Sequence, residues 1–566
     1  MNRSNEKSKT GIRLQTDSYA ITLHPYAFDL AVGPDSPTLI HSAQGLLLMP
    51  MFAASGIEIG PAEIMSESNQ GALRLLVIRA VISGALTGWV ENTICCLSDR
   101  IVCSAGYQVD ADHHIAHWHV LNAGSRTGVP AVHANVGQGL QNLGGTLFDV
   151  DDLELSTASH NFQHWNVAPR MLFIDGERTV AIGGTTLAHD YGLELTTGAD
   201  GKVDYLRFNY GGVDAPHPGQ GGRAVVGPRL QIQISNGLEP LAAYARFTEA
   251  MITDGIIPPH RYRPEHLPWR RPWYCTWADQ VLLANSLTGD ADWKGQRKSN
   301  AVLTQDLVMR AVTRIREWDL NIGTVVIDAG WQDKRGDWNL RTDKFPDVRG
   351  MVDQLHDWGY KVHFWWAPLQ VEAGADVLQR DGFTYPVAGG KEFALDYTNP
   401  AVREYIADKV DRFFSSGPHG WNLDGLKLDW LCERVRPQPD PIDPDWRGEE
   451  NQLVRMQRLF CSIAARYKTA FAISSQPRNP QMANLSFTTG IPENFSDDLS
   501  ILNESVEALQ AWMPGWWIKA HCIYQPDGVV EHVRQTRALD GVPEIGLVLP
   551  EHMSDEQMAT VKAALE

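Results

Sequence analysis

From Asp17 to about Gly255, apolar and polar residues alternate in short runs. LRLLVIRAVI (73–82), RIVCSAGYQVD, HIAHWHVLNAG and TVAIGGTTLA are of this kind, with clusters of Gly, Asn, Asp and Ser between them. Alternation over a few residues places every second side chain on one face of a pleated strand, and turn residues between such runs are an all-β signature. The first long helical pattern is LEPLAAYARFTEAMIT (238–253). After the Pro/Arg-rich passage PPHRYRPEHLPWRRP the pattern changes to short apolar runs alternating with amphipathic helices, which implies a parallel sheet.

The runs read as strands are 273–277, 324–330, 361–367, 424–430, 469–475, 485–490, 516–522 and 544–549. Eight strand–helix units in the residual length match a (β/α)8 TIM barrel. An open doubly wound sheet is the alternative, but its Gly-rich phosphate turn is missing from the sequence. The expected fold is therefore multidomain. An N-terminal all-β supersandwich (1–257) precedes a catalytic (β/α)8 barrel (258–566). In such a barrel the chemistry sits at the C-terminal ends of the strands. Asp328, Asp429 and Ser475 fall at or near those ends, and Asp497 follows the sixth run.

Composition narrows the partners. The chain has 566 residues, a formal net charge of -19 and 43% hydrophobic residues. An acidic chain lacks the basic face that nucleic acid requires, so no such partner is expected. No run approaches the roughly 20 apolar residues of a membrane span. The N-terminus MNRSNEKSKTGIRLQ lacks the apolar core of a secretory signal, so a cytoplasmic enzyme is expected. The 7 cysteines form no CxxC pattern, so neither a disulfide framework nor a zinc site is indicated. Of 19 tryptophans, many lie between Trp269 and Trp430, beside the strand ends. Aromatic faces suit the C–H faces of sugars, although any single Trp is more simply a core residue.

In GLKLDWL, Lys427 and Asp429 lie two apart and project to one face of a strand. A cation beside a carboxylate favours the ionised form a nucleophile needs, and equally describes a plain buried ion pair. Three passages decide between them. VVIDAGWQDKRGDWNLRTDKFPDVRGM (325–351), ALDYTNPAVREYI through DGLKLDWL (394–431) and NFSDDLS (494–500) together resemble the α-galactosidase clan of glycoside hydrolases, family 36 more than family 27. The resemblance implies a retaining α-glycoside hydrolase acting by double displacement on a carbohydrate substrate, with no cofactor and no metal. It makes Asp429 the nucleophile and Asp497 the general acid/base, with Asp498 as rival acid or substrate-binding neighbour. Asp328 and Lys427 would bind the sugar. Trp277, Trp331, Trp338 and Trp366 would line its pocket, and Arg478 would complete it.

Three positions depart from the family pattern. Asp-Asp-Gly-Trp is here Asp328-Ala329-Gly330-Trp331, Cys-x-x-Gly-Gly-Gly-Arg is replaced by Ser475-Gln476-Pro477-Arg478, and Glu493 stands where family 27 has Arg. All three concern the glycone, so the sugar is expected to differ from galactose. Transglycosylation of the raffinose-synthase kind and a non-catalytic sugar-binding relative are the alternatives. His113, His114, His117 and His119 invite a metal reading, but ordinary strand histidines are favoured without an acidic cluster beside them. Homo-oligomerisation is left open.

Overall fold

In the computed structural model, the described residues are 11–566 except 32, 34, 36–37, 43, 71–72, 114, 124–139, 143–170, 176–177, 198–202, 213–220, 237–239, 258, 260–261, 289–295, 388–391, 432–440, 476–492 and 495–498. The chain divides into two compact units, Met1–Ile256 with Arg447–Asn451, and Ile257–Trp446 with Gln452–Glu566.

In the first unit the described strands form antiparallel sheets of four, nine and four strands. The alternation seen in sequence sets them. Leu73–Gly84 buries every second residue through its middle, so Leu76, Ile78, Ala80 and Ile82 join Val90, Ile94, Ile101 and Cys103 in one apolar core. The helical pattern near 238–253 appears as Pro240–Thr253.

The second unit is built on eight short strands: β1 (Trp273–Cys275), β2 (Thr324–Ile327), β3 (Lys361–Trp366), β4 (Gly425–Leu428), β5 (Ala472–Ser474), β6 (Glu493–Asn494), β7 (Lys519–Ala520) and β8 (Val542–Ile545). They pair in the order β5-β4-β3-β2-β1-β8-β7-β6, and every pair is parallel. The eight strands thus form one curled parallel sheet, with β5 and β6 at its two edges. Helices follow the strands: α1 (Trp277–Thr288), α2 (Gln305–Glu317), α3 (Val348–Asp357), α4 (Pro400–Phe414), α5 (Glu449–Ala464), α6 (Leu499–Trp512), α7 (Val529–Ala538) and α8 (Asp555–Leu565). Their starts are written locally. The side chains of Thr304, Asp347, Asn399 and Ser554 each accept a backbone N–H of the first turn of α2, α3, α4 and α8.

The strands are shorter than the apolar runs that announce them, because residues at both ends leave the ladder for loops. The run 485–490 lies outside the described residues; among the described ones, Glu493–Asn494 pairs with Lys519–Ala520 at this edge of the sheet. Among the described residues no helix is long and apolar enough to cross a membrane.

Candidate active site

Strand β3 shows how the sheet sorts its side chains. Successive residues point to opposite faces. Phe364 and Trp366 face the helices: Trp366 packs on Phe413 of α4 and Phe460 of α5, with ring centroids 5.3 and 4.9 Å apart. His363 and Trp365 face the other way. The indole Nε1–H of Trp269 donates to His363 Nε2 at 2.8 Å, and Trp365 Nε1–H donates to Asp429 Oδ2 at 2.8 Å. Lys427 pairs with Trp365 in the β3–β4 register, so Asp429, two residues further on, sits just past the end of β4 beside that indole.

Asp429 is half-buried, and both its oxygens are held. Oδ1 accepts the backbone N–H of Trp430 at 2.8 Å while Oδ2 takes the indole of Trp365. The backbone N–H of Asp429 donates to Trp366 O at 2.9 Å, which ties the end of β4 to β3. Trp430 stands at φ 55°, a left-handed conformation that a bulky side chain adopts only under constraint. That turn is what aims the Trp430 N–H back at its neighbour's carboxylate.

Next to it, the inner face carries a buried polar network. Lys427 Nζ donates to Asp328 Oδ2 at 2.8 Å and lies 3.1 Å from His521 Nε2. Burial, then the Lys427 charge, hold the His521 imidazole well below its ordinary value, so it is neutral. Its Nδ1 lies 2.9 Å from Cys522 O, so Nδ1 carries the proton and Nε2 accepts from Lys427. Asp328 Oδ2 also accepts the Cys275 S–H at 3.2 Å, and Oδ1 accepts the Ala329 N–H at 2.8 Å. Burial pushes the Cys275 thiol well up, which keeps it protonated and able to donate. Further along, Lys519 Nζ donates to Glu544 Oε2 at 2.6 Å with both side chains fully buried. His521, Cys522 and Glu544 are close enough together to hold a metal ion. His521 and Glu544, however, already face the Lys427 and Lys519 ammonium groups, a charge setting that opposes a cation.

The expected site residues divide three ways. Asp328, Lys427 and Asp429 come together on the inner face, and half-buried Trp277 opens α1 two residues past the end of β1. Arg478, Asp497 and Asp498 lie outside the described residues. Trp331, Trp338 and Trp366 are buried, at 0, 2 and 0% exposure. Trp331 packs on Phe364, Phe413 and Trp421 in the layer between sheet and helices, and its Nε1–H donates to Trp365 O at 2.8 Å. Sequence reasoning missed Trp365, Cys275 and His521. The alternation of β3 could have separated Trp365 from Trp366, but which strand Trp365 faces is a fact of register.

Residues 294–485 match the TIM-barrel domain of glycosyl hydrolases family 31, a family that the motif reading did not name. A 1,3-alpha-isomaltosidase of Kribbella flavida is 31% identical over 202 residues, covering 27% of this chain and 28% of the relative. An isomaltosyltransferase of Sporosarcina globispora is 25% identical over 264 residues, 40% of this chain and 24% of the relative. The chain thus spans only about a quarter of the length of these curated relatives. In fold, the family 36 alpha-galactosidase AgaA of Geobacillus stearothermophilus superposes with a TM-score of 0.58 at 12% identity, covering 98% of this chain and 85% of that one. Similarity in sequence therefore runs to family 31 within residues 294–485, and similarity in fold to family 36 over nearly the whole length. Residues 294–485 are thus similar in sequence to a glycosyl hydrolase barrel domain, and the chain as a whole shares its fold with a family 36 alpha-galactosidase.

Proposed function

We propose that this protein is a retaining α-glycosidase in which Asp429 is the nucleophile and Asp497 the general acid/base. The reading takes the sheet as a closed (β/α)8 barrel with β6 meeting β5. The observation that carries it is the Asp429 carboxylate at the end of β4, held through both oxygens beside the Lys427–Asp328 pair. In the first step a carboxylate oxygen of Asp429 bonds to the anomeric carbon. The glycosidic oxygen leaves with its electron pair and takes a proton from Asp497. In the second, water attacks the anomeric carbon from the other face and gives its proton to Asp497, and Asp429 is released. This geometry requires the two carboxyl groups to stand roughly 5–5.5 Å apart. Asp328 and Lys427 serve as hydroxyl ligands, with Trp277, Arg478 and Asp498 around them.

The glycone is an α-linked gluco-configured sugar rather than galactose. Ala329 supplies no second carboxylate, and the two curated relatives are named for isomaltosyl chemistry. The name of the second also supports another reading, transfer of the glycosyl group to a sugar acceptor in place of water. Both share the first step. Asp429→Ala tests it: the variant should fold, lose turnover, and regain cleavage of an activated aryl α-glycoside in azide. The anion fills the vacated space and attacks the same face, so the product is the β-glycosyl azide. An α-azide, or full activity without azide, overturns the assignment. A panel of aryl α-glucosides, α-isomaltosides and α-galactosides, with products followed by NMR in the presence of sugar acceptors, separates hydrolysis from transfer.

A further inference from the structure

Trp365 is a buried indole whose N–H points at the carboxylate assigned as nucleophile. Three features keep it there. It pairs with Lys427 in the β3–β4 register, so its ring reaches along the neighbouring strand to Asp429. Trp338 packs on it with centroids 6.3 Å apart, and Trp338 is itself wedged against Trp331 and Trp366 at 6.1 and 6.0 Å. Trp338 stands at φ 54°, so the loop after β2 is bent to deliver that ring. The Trp365 carbonyl, finally, accepts the indole N–H of Trp331. Trp331, Trp338 and Trp366 thus form a stack that immobilises one indole.

We propose that Trp365 is a catalytic residue whose N–H holds the departing Asp429 carboxylate in the second step. The inference rests on Asp429 being the nucleophile. A hydrogen bond to a full carboxylate is stronger than one to an ester oxygen. In the first step Asp429 gives its charge to the new C–O bond, so the indole contact weakens and does not assist. In the second step, water attacks the anomeric carbon and Asp497 takes the water proton. The bond between that carbon and Asp429 then breaks, and its electron pair returns to the carboxylate. Charge grows on the oxygens that face Trp365, and the contact strengthens as the barrier is crossed. Removing the N–H therefore slows release of the glycosyl-enzyme more than its formation.

The test replaces Trp365 by Phe and, because the ring is tightly packed, also by benzothienylalanine, which keeps the bicyclic shape and has sulfur in place of N–H. The substrate is the dinitrophenyl α-glycoside that the wild-type protein cleaves best. In the isosteric variant kcat should fall about tenfold or more, the loss expected for one hydrogen bond to a charged group. kcat/KM should fall much less, and a burst of dinitrophenolate approaching one per protein should precede the steady state. Azide, a better nucleophile than water, should restore kcat. Equal losses in kcat and kcat/KM without a burst would make Trp365 a packing residue, and an unchanged kcat in the isosteric variant would remove any role for its N–H. The underlying assignment is checked apart from this: if Asp429→Ala gives no β-azide while the Trp365 variants still show a burst, Asp429 is not the nucleophile and the inference falls with it.

Discussion

Ala329 stands beside Asp328 at the end of β2, with 5% of its surface exposed and its carbonyl accepting from Gln280 Nε2 at 2.9 Å. An aspartate here would set a second carboxylate next to one that already shares its charge with Lys427. If the pocket has been rebuilt for a gluco-configured sugar, that charge finds no partner. Ala329→Asp should then lower activity on the best aryl α-glucoside at least about tenfold and give no α-galactosidase, as expected for an unpaired buried charge. Steady-state kinetics on the two aryl glycosides decide it, and a large gain on the galactoside would show a galactose pocket that lacks one contact. The same scale shows what a sequence conceals. Lys427 and Asp429 are legible as a same-face pair from their spacing, yet the carboxylate on Lys427 at 2.8 Å is Asp328, brought by another strand.

At the scale of elements, the sheet holds its interior by close approach as well as by apolar contact. Gly425 opens β4 beneath the His363 imidazole, and a Cβ there would overlap both that ring and the carbonyl of Ala472 on β5. Neither can withdraw, since His363 is fixed by Trp269 and Ala472 belongs to the ladder. Gly425→Ala should therefore cost at least about 2 kcal/mol of stability, as overpacking against backbone does; an unchanged unfolding midpoint in urea would refute this. Lys519 and Glu544 join β7 to β8 as a fully buried ion pair. Lys519→Met takes the cation away from the buried Glu544 carboxylate, which keeps the Cys522 N–H at 3.4 Å, with an expected loss of about 3–5 kcal/mol. In Lys519→Met/Glu544→Leu much of that loss should return, which the midpoints of the single and double variants measure. The existence and order of these elements were legible, because period two and period 3.6 are properties of the chain. Their ends were not. β1 stops at Cys275 although the apolar run continues to Trp277, since α1 begins there.

Across the whole molecule, buried histidines tie stability to pH. Burial lowers His363 to about 3 and His532 to about 4, so both are neutral in the folded protein. The unfolded chain binds these protons near pH 6.5. Their folded pKa values lie below the unfolded ones, so their contribution is fully present above about pH 6.5 and is lost as the pH falls towards 4 and then 3, each histidine costing about 1.4 kcal/mol per pH unit over its window. The melting temperature should be level near pH 7 to 8 and fall between pH 6 and 5, before most carboxylates titrate. Equal melting temperatures at pH 7 and pH 5 would contradict it. By itself the sequence determined an all-β first half and a second half of alternating strands and helices, because alternation and caps are local and survive in one dimension. Which tryptophans reach the site was decided only by the tertiary structure. A one-residue step along β3 sends Trp366 into the helix layer and Trp365 onto Asp429, and the element that waits on either side is set by how strands and helices pack in three dimensions.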